Sequence, residues 1–286
     1  MNSFATTKPQ SSATAGVNEC ECAKPFATTM ADLLDAMGAE QGDRFAALQL
    51  PIAVRRLRAG ENLAHQGATA EALYFVRAGT FKVFHTDVDG YEQVLAFATR
   101  GEVLGFDALC MESHPTAIAA LESSSVFVVL RSDLMMLSVK MPAFSMALQR
   151  AGSLSLARSR ELADLMAAVA SEVRLARFLI HISQRMAAAR LSPRRFHLSM
   201  GRREIASLLG VANETVSRSF SALALAGLLH VADRDVEILD MEGLKAYARS
   251  TRRRADESLV APTGGMFTRR STPGRRSTAG LRAMVS

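Results

Sequence analysis

Short apolar runs separated by glycines dominate the chain from about Pro51 to Leu137. Alternation in FKVFHT and clusters of β-branched residues predict β-strands joined by tight turns. Strands of this length and spacing indicate an antiparallel roll or barrel. The glycines expected in the turns are Gly60, Gly67, Gly79, Gly90, Gly101 and Gly105.

Two segments beside this region have apolar residues at helical spacing. One is short, from about Ala31 to Leu48, and the other is long, from about Pro142 to Leu165, with no turn cluster. The long stripe consists of Phe144, Leu148, Leu154, Leu162, Leu165 and Val169. Such a stripe needs a partner surface, which is either its own β domain or the same helix of a second copy. The C-terminal pattern favours the second copy.

The C-terminal pattern, from about Glu172 to Tyr247, is a helix, a short extended piece, two short helices and a hairpin. This order describes a winged helix. The two short helices fit a helix-turn-helix, whose second helix enters the major groove of DNA. Its predicted core is Ile205, Leu209, Gly210, Val216 and Phe220, with Gly210 in the left-handed turn that glycine adopts at little cost.

The other face of the second helix carries Asn213, Glu214, Ser217 and Arg218. Arginine can bind guanine O6 and N7, glutamate can accept from cytosine N4, and serine suits base or phosphate. Residues i, i+3 and i+4 share one helix face, so Glu214, Ser217 and Arg218 reach one patch of groove. The alternative is a plain surface helix with a Glu–Arg pair worth a few tenths of a kcal/mol. Ala212 at the expected cap position is a weak start for this helix.

The chain resembles the Crp/Fnr family of bacterial transcription regulators, most closely the FNR-type branch. The resemblance rests on LYFVRAGTFKVF, RGEVLGFDAL, HPTAIAALESSSV, KMPAF and LSPRRFHLSMGRREIASLLGVANETVSRSF. It implies an α+β fold: an N-terminal cyclic-nucleotide-binding-like β-roll, a long dimerisation helix and a C-terminal winged helix-turn-helix. It also implies that the E-x-x-S-R pattern at Glu214, Ser217 and Arg218 reads a TTGAT-type half-site, and that a homodimer binds a two-fold symmetric box.

The predicted organisation has five parts. These are a mobile arm at 1–28, the β-roll sensor domain at 29–138, the dimerisation helix at 139–171, the DNA-binding domain at 172–247 and a basic disordered tail at 248–286. The net charge of +6 is concentrated in the tail, which has nine arginines from Arg249 onward and only two carboxylates. A basic tail favours polyanions such as DNA, although it equally fits a solvated segment without a dedicated role.

The resemblance implies two sensory chemistries, and the sequence departs from both. Cyclic-nucleotide binders place an arginine near a small hydroxyl residue to neutralise the phosphate. Here Gly101 and Glu102 are present, but HPTAIAA has Thr116 and no arginine. A buried phosphate without a counter-charge is costly, so cyclic AMP binding is not expected. Glu102 is then interpreted as a structural turn residue.

The oxygen-sensing branch holds an iron–sulfur cluster on four cysteines, three near the N-terminus and one in the roll. This chain has Cys20 and Cys22, one residue apart, and Cys110, while the internal ligand position corresponds to Phe127. The pattern argues against a cluster, although three thiolates with a fourth ligand of another type stay open. The alternatives are a redox pair of thiols, or surface thiols at Cys20 and Cys22 with a buried, inert Cys110.

The remaining features narrow the class of protein. An odd cysteine count without an export signal predicts a reducing cytoplasm, and no apolar run approaches the roughly 18 residues of a membrane span. His85 and His114 alone do not form a catalytic metal site, so an enzyme is not expected. The loop His85 to Gln93 resembles a family surface that can touch RNA polymerase, yet a charged hairpin turn explains it equally well.

The favoured function is therefore a homodimeric transcription regulator in oxygen, redox or anaerobic-metabolism control. The alternative is a roll that responds to an unidentified small effector, in a cluster-less constitutive or redox-thiol mode.

Overall fold

A computed structural model describes residues 28–39, 50–168 and 170–249. Nearly all of the predicted arm, including Cys20 and Cys22, and nearly all of the predicted tail lie outside this part of the chain. No helix within it is both long and apolar enough to cross a membrane. The helices are α1 Met30–Ala36, α2 Arg131–Lys140, α3 Pro142–Met166, α4 Ser171–Ala188, α5 Arg202–Leu209, α6 Asn213–Leu225 and α7 Met241–Arg249.

The strands form a roll followed by a small C-terminal sheet. Their bounds are β1 Ala53–Leu57, β2 Asn62–Ala64, β3 Ala72–Ala78, β4 Phe81–Thr86, β5 Glu92–Ala98, β6 Val103–Leu104, β7 Ala117–Ala120, β8 Ser124–Leu130, β9 Arg195–His197, β10 Leu229–Ala232 and β11 Asp235–Ile238. In the described residues the sheet orders are β1-β8-β3-β6, β2-β7-β4-β5 and β10-β11-β9, with antiparallel pairing.

The turn glycines of the roll take the conformation that their positions require. The six glycines predicted in turns between Gly60 and Gly105 all have positive φ. Gly79 is the most constrained of them, because an added Cβ would come within 2.1 Å of Ser124 Oγ. This close approach lets strands β3 and β8 pair next to the β3–β4 turn.

Two apolar clusters fill the roll. Between its sheets lies a core around Val76, Phe81 and Val126. The second cluster lies beneath the helices, where Phe75 on β3 packs against Phe144 of α3 with ring centroids 6.2 Å apart. Helix α3 is therefore anchored to its own roll at its N-terminal end.

Helix α2 is not predicted by the sequence pattern. Its buried residues are Leu134 and Leu137, but Met135 and Val139 are exposed by 76% and 74%. Apolar residues thus occur around the whole helix, so no single apolar stripe marks it. The C-terminal helix α7 likewise has no counterpart in the predicted order of elements.

The apolar residues of the stripe predicted on the long helix differ in their burial. Phe144 and Leu165 are buried within the same chain, and Leu148 and Leu162 pack partly against it, whereas Leu154 is 44% exposed. Val169 lies outside the described residues. The alternative of packing on the chain's own domains therefore accounts for most of the stripe, and a different face of α3 is left exposed.

The winged helix packs against the outer surface of the roll. Phe97 of β5 contacts Phe178 of α4 with ring centroids 6.3 Å apart, in one cluster with Leu179, Ile205 and Leu223. Strand β5 is at the edge of its sheet. Two of its backbone groups are satisfied by Ser207 of α5, whose Oγ accepts from Val94 N–H and donates to Glu92 C=O, each at 2.8 Å.

Replacement of Gly210 by alanine is expected to destabilise the DNA-binding domain by about 1–2 kcal/mol, because φ is +62° there. The new Cβ would also come within 3.0 Å of Met166 Cε. Gly227→Ala is the matched control, since φ is +70° and nothing lies within 4 Å of its added Cβ. Chemical denaturation should show a larger loss for Gly210→Ala. Equal losses would show that Met166 does not restrict the turn.

Candidate nucleic-acid interface

Helix α6 separates a buried face from an exposed one. Val216, Ser219, Phe220 and Leu223 are buried against α4 and α5. The helix begins after Ala212, which provides no side-chain cap, as its residue type predicts. The preceding turn is held by Gly210 with φ +62° and by the bond from Val211 N–H to Ala206 C=O at 3.1 Å.

The four predicted DNA-reading residues lie on the exposed face. Asn213, Glu214, Ser217 and Arg218 are all solvent-exposed. Ser217 Oγ donates to Asn213 C=O at 3.3 Å. Arg218 has no hydrogen bond or ion pair with any residue in the described ranges, and the possible Glu214–Arg218 pair is not formed. The guanidinium of Arg218 is thus held on the exposed side of a helix, without a partner among the described residues.

Helix α5 is fixed at both ends. At its start, Gly201 N–H donates to Glu204 Oε2 at 2.8 Å. At its end, the Leu209 carbonyl accepts from Arg174 Nη1 at 2.8 Å, and Arg174 Nε donates to Ala168 C=O at 2.7 Å. Arg174 therefore joins the α3–α4 connection to the helix-turn-helix. The sequence contains no motif that marks this role.

A second arginine, Arg202, contacts both α6 and the turn between β10 and β11. The guanidinium carbon of Arg202 lies 3.7 Å from the centroid of the Phe220 ring, and Arg202 Nη2 donates to Asp233 C=O at 2.8 Å. Burial lowers the pKa of Arg202 and nearby Asp233 opposes that shift. Sequence reasoning did not find this contact, because its partners are distant along the chain.

The ligand region of the roll does not fit a cyclic phosphate. Thr116, which stands near the position for a phosphate counter-charge, donates from Oγ1 to Asp107 Oδ2 at 2.9 Å. A carboxylate there would repel a phosphate. Glu102 bonds Arg158 and Arg185. A cavity of about 1260 Å³ adjoins these residues, between the roll, α3 and α4.

The described residues do not fit the four-cysteine cluster of the oxygen-sensing branch either. Phe127, at the internal ligand position, is 1% exposed in the apolar core and has no ligating atom. Cys110 is a free thiol on the surface, so its predicted burial is wrong. Its apolar neighbours differ in burial, since Ala108 at the end of a 3-10 helix is 1% exposed whereas Met111 is 52% exposed. No metal-binding group of three or more His, Cys, Asp or Glu side chains occurs in the described part.

His114 predicts a pH dependence of stability. It is 2% exposed and its Nδ1 has no hydrogen-bond partner in the described part of the chain. Burial lowers the pKa of His114 below 6.5, and Asp107 opposes the shift. Below pH 6.5 the unfolded chain therefore binds more protons than the folded one, and stability falls as pH decreases through this range. His114→Leu should reduce the slope in denaturation measured across this range. An unchanged slope would contradict the assignment.

Taken together, an exposed reading helix, a wing and an attached sensor-like roll define a DNA-binding transcription regulator. The Crp-like helix-turn-helix domain profile matches residues 173–247, and the cyclic nucleotide-binding domain profile matches residues 54–139. The chain belongs to the Crp/Fnr family of transcription regulators. Both the predicted family and the predicted fold class are confirmed.

Related proteins place the chain among regulators. It is 36% identical to the transcriptional activator protein FnrA of Stutzerimonas stutzeri, over 68% of this chain and 80% of FnrA. It is 33% identical to the fumarate and nitrate reduction regulatory protein of Salmonella typhimurium, over 68% and 78%. The structure of FixK2 from Bradyrhizobium japonicum is similar with a TM-score of 0.63 and 26% identity, over 71% of this chain and 100% of that one. Relatives of this kind are regulators rather than enzymes.

Proposed function

We propose that this protein is a homodimeric regulator that binds a two-fold symmetric, TTGAT-type box through Glu214, Ser217 and Arg218. The observation that carries the proposal is that Arg218, on the exposed face of α6, has no hydrogen-bond or ion-pair partner among the residues that the structure describes. A guanidinium without an internal partner is free to bind guanine in the major groove. Asn213, at the start of the same helix, lies beside the DNA backbone in this arrangement.

A band-shift titration at fixed salt tests the proposal. The symmetric box should bind at least about a hundred times more tightly than a scrambled duplex of the same length and composition. Equal affinity for the two duplexes would contradict sequence-specific recognition. A steep salt dependence of both affinities is expected from phosphate contacts.

The exposed face of α3 supports the dimer. Met146 and Leu156 are 65% and 55% exposed. Together with Gln149, Ser153 and Arg160 they follow alternating steps of three and four residues, which is the spacing of a two-helix seam. A second copy of α3 related by a two-fold axis would cover these side chains. The same axis would present two copies of α6 to the two half-sites.

A role in the control of anaerobic metabolism is supported by the similarity to FnrA and to the fumarate and nitrate reduction regulator. A mode of action without a cluster is favoured because Phe127 occupies the internal ligand position and Cys110 lies on the surface. Protein purified without oxygen should contain no stoichiometric iron or sulfide and should bind the box equally in air. Stoichiometric iron with visible absorption that air bleaches would overturn this part of the proposal.

A further inference from the structure

Helices α3 and α4 face each other through charged side chains at regular spacing. Arg177, His181 and Arg185 recur every four residues on α4. Arg177 Nη1 lies 3.7 Å from Asp164 Oδ2, and His181 Nδ1 lies 3.2 Å from Glu161 Oε2. The first two positions of this ladder thus join a basic side chain of α4 to a carboxylate of α3, and burial lowers the pKa of His181.

The third position of the ladder brings together two positive charges. There Arg185 of α4 and Arg158 of α3 lie close enough to bond the same oxygen atom, so their like charges repel each other. The roll supplies the missing anion. Glu102, which is 8% exposed, forms an ion pair with Arg158 Nη2 at 3.1 Å and accepts a hydrogen bond from Arg185 Nη2 through the same oxygen, Oε1. Without Glu102, two guanidinium groups would repel one another between the helices.

Arg185 is bound to the roll by more than this ion pair. Its Nη1 donates to Phe97 C=O at 3.0 Å, and its Nη2 donates to Thr99 Oγ1 at 2.9 Å. Burial lowers the pKa of Arg185, and Glu102 opposes that shift. The β5–β6 turn, the long helix and the first helix of the DNA-binding domain therefore meet at one carboxylate.

We propose that Glu102 is a positioning residue that sets the orientation of the DNA-binding domain relative to α3, and hence the spacing of the two reading helices. The proposal rests on the proposed function, because a spacing exists only in a dimer. The contact leaves Arg218 and its neighbours exposed, so it does not cover the reading face. The connection between α3 and α4 is short, from Ala167 to Ala170, so a change at the ladder turns the whole domain.

The test compares wild type and Glu102→Gln on three duplexes. The first carries one half-site, the second carries two at the native spacing, and the third has the spacer lengthened by about two base pairs. Glu102→Gln should bind the native box roughly tenfold more weakly, because the two domains are no longer oriented in advance. Affinity for the single half-site should stay within about twofold, and discrimination against the longer spacer should be lost.

The matched control is Glu61→Gln, which removes an exposed carboxylate of the same roll that lies 3.8 Å from Arg55 Nη2. This variant should behave as wild type on all three duplexes. Arg185→Gln should reproduce the effect of Glu102→Gln, and the double variant should add little. If circular dichroism shows that Glu102→Gln does not fold, Arg185→Gln alone provides the test.

Equal weakening of half-site and full-site binding by folded Glu102→Gln would overturn the proposal, as would unchanged discrimination between spacers. Failure of the proposed function has a different signature. In that case Arg218→Ala would leave wild-type half-site affinity unchanged, whatever the effect of Glu102→Gln on spacing.

Discussion

Arg218→Ala is expected to remove most of the discrimination between the box and a scrambled duplex. An arginine bound to guanine contributes about 1–3 kcal/mol of discrimination in each half-site. For a dimer this amounts to a loss of roughly thirtyfold to more than a thousandfold in specific affinity. Fluorescence anisotropy with both duplexes at one salt concentration measures this loss of specific affinity. The side chain has no partner in the described residues, so the fold and its melting temperature should not change.

Lys245→Ala is the matched control for the lost charge. Lys245 is in the same domain on α7, where it pairs with Glu242 at 2.8 Å. Its removal should affect box and scrambled DNA alike and only slightly. Arg218→Lys should restore little discrimination, because an ammonium group cannot reproduce the bidentate geometry. If Arg218→Ala retained wild-type discrimination, α6 would not be the reading helix.

Leu156→Asp is expected to convert the protein into a monomer. Leu156 is 55% exposed on the seam of α3, and a two-fold axis there would place the two new carboxylates near each other. Affinity for the symmetric box should fall by roughly a hundredfold or more, towards that of one half-site, because the second half-site no longer binds from a tethered domain. Analytical ultracentrifugation and band shifts on one- and two-half-site duplexes measure both effects.

Leu225→Asp makes the same substitution at a leucine that is 90% exposed at the end of α6. The variant should remain dimeric, which separates an interface effect from a general effect of an added charge. A dimeric Leu156→Asp protein would show that another surface joins the two copies.

The helix-turn-helix could be predicted from sequence because its determinants are local. Ile205 and Leu209 are one helical turn apart, as are Val216 and Phe220, and all four are buried. Gly210 between them has the positive φ that the turn requires. Helical periodicity also placed the reading residues on the opposite face, since i, i+3 and i+4 positions must share one side of a helix.

The surroundings of the long helix could not be predicted in the same way. Periodicity shows that α3 has an apolar stripe, but not which surface covers each part of it. The structure buries Phe144 and Leu165 within the chain and leaves Leu156, which is not in the stripe, exposed. Cys110 is a similar case, because a neighbouring apolar sequence does not show whether a residue lies in a strand or on the surface.

By itself the sequence determined the family, the order of the elements around the reading helix and the residues on its exposed face. These properties depend on residue types at short, regular spacings. Only the tertiary structure decided which residues Glu102 contacts. Its partners Arg158 and Arg185 are on different helices, more than fifty residues away along the chain. A carboxylate between two arginines acquires its role from the packing of three elements, which no local pattern records.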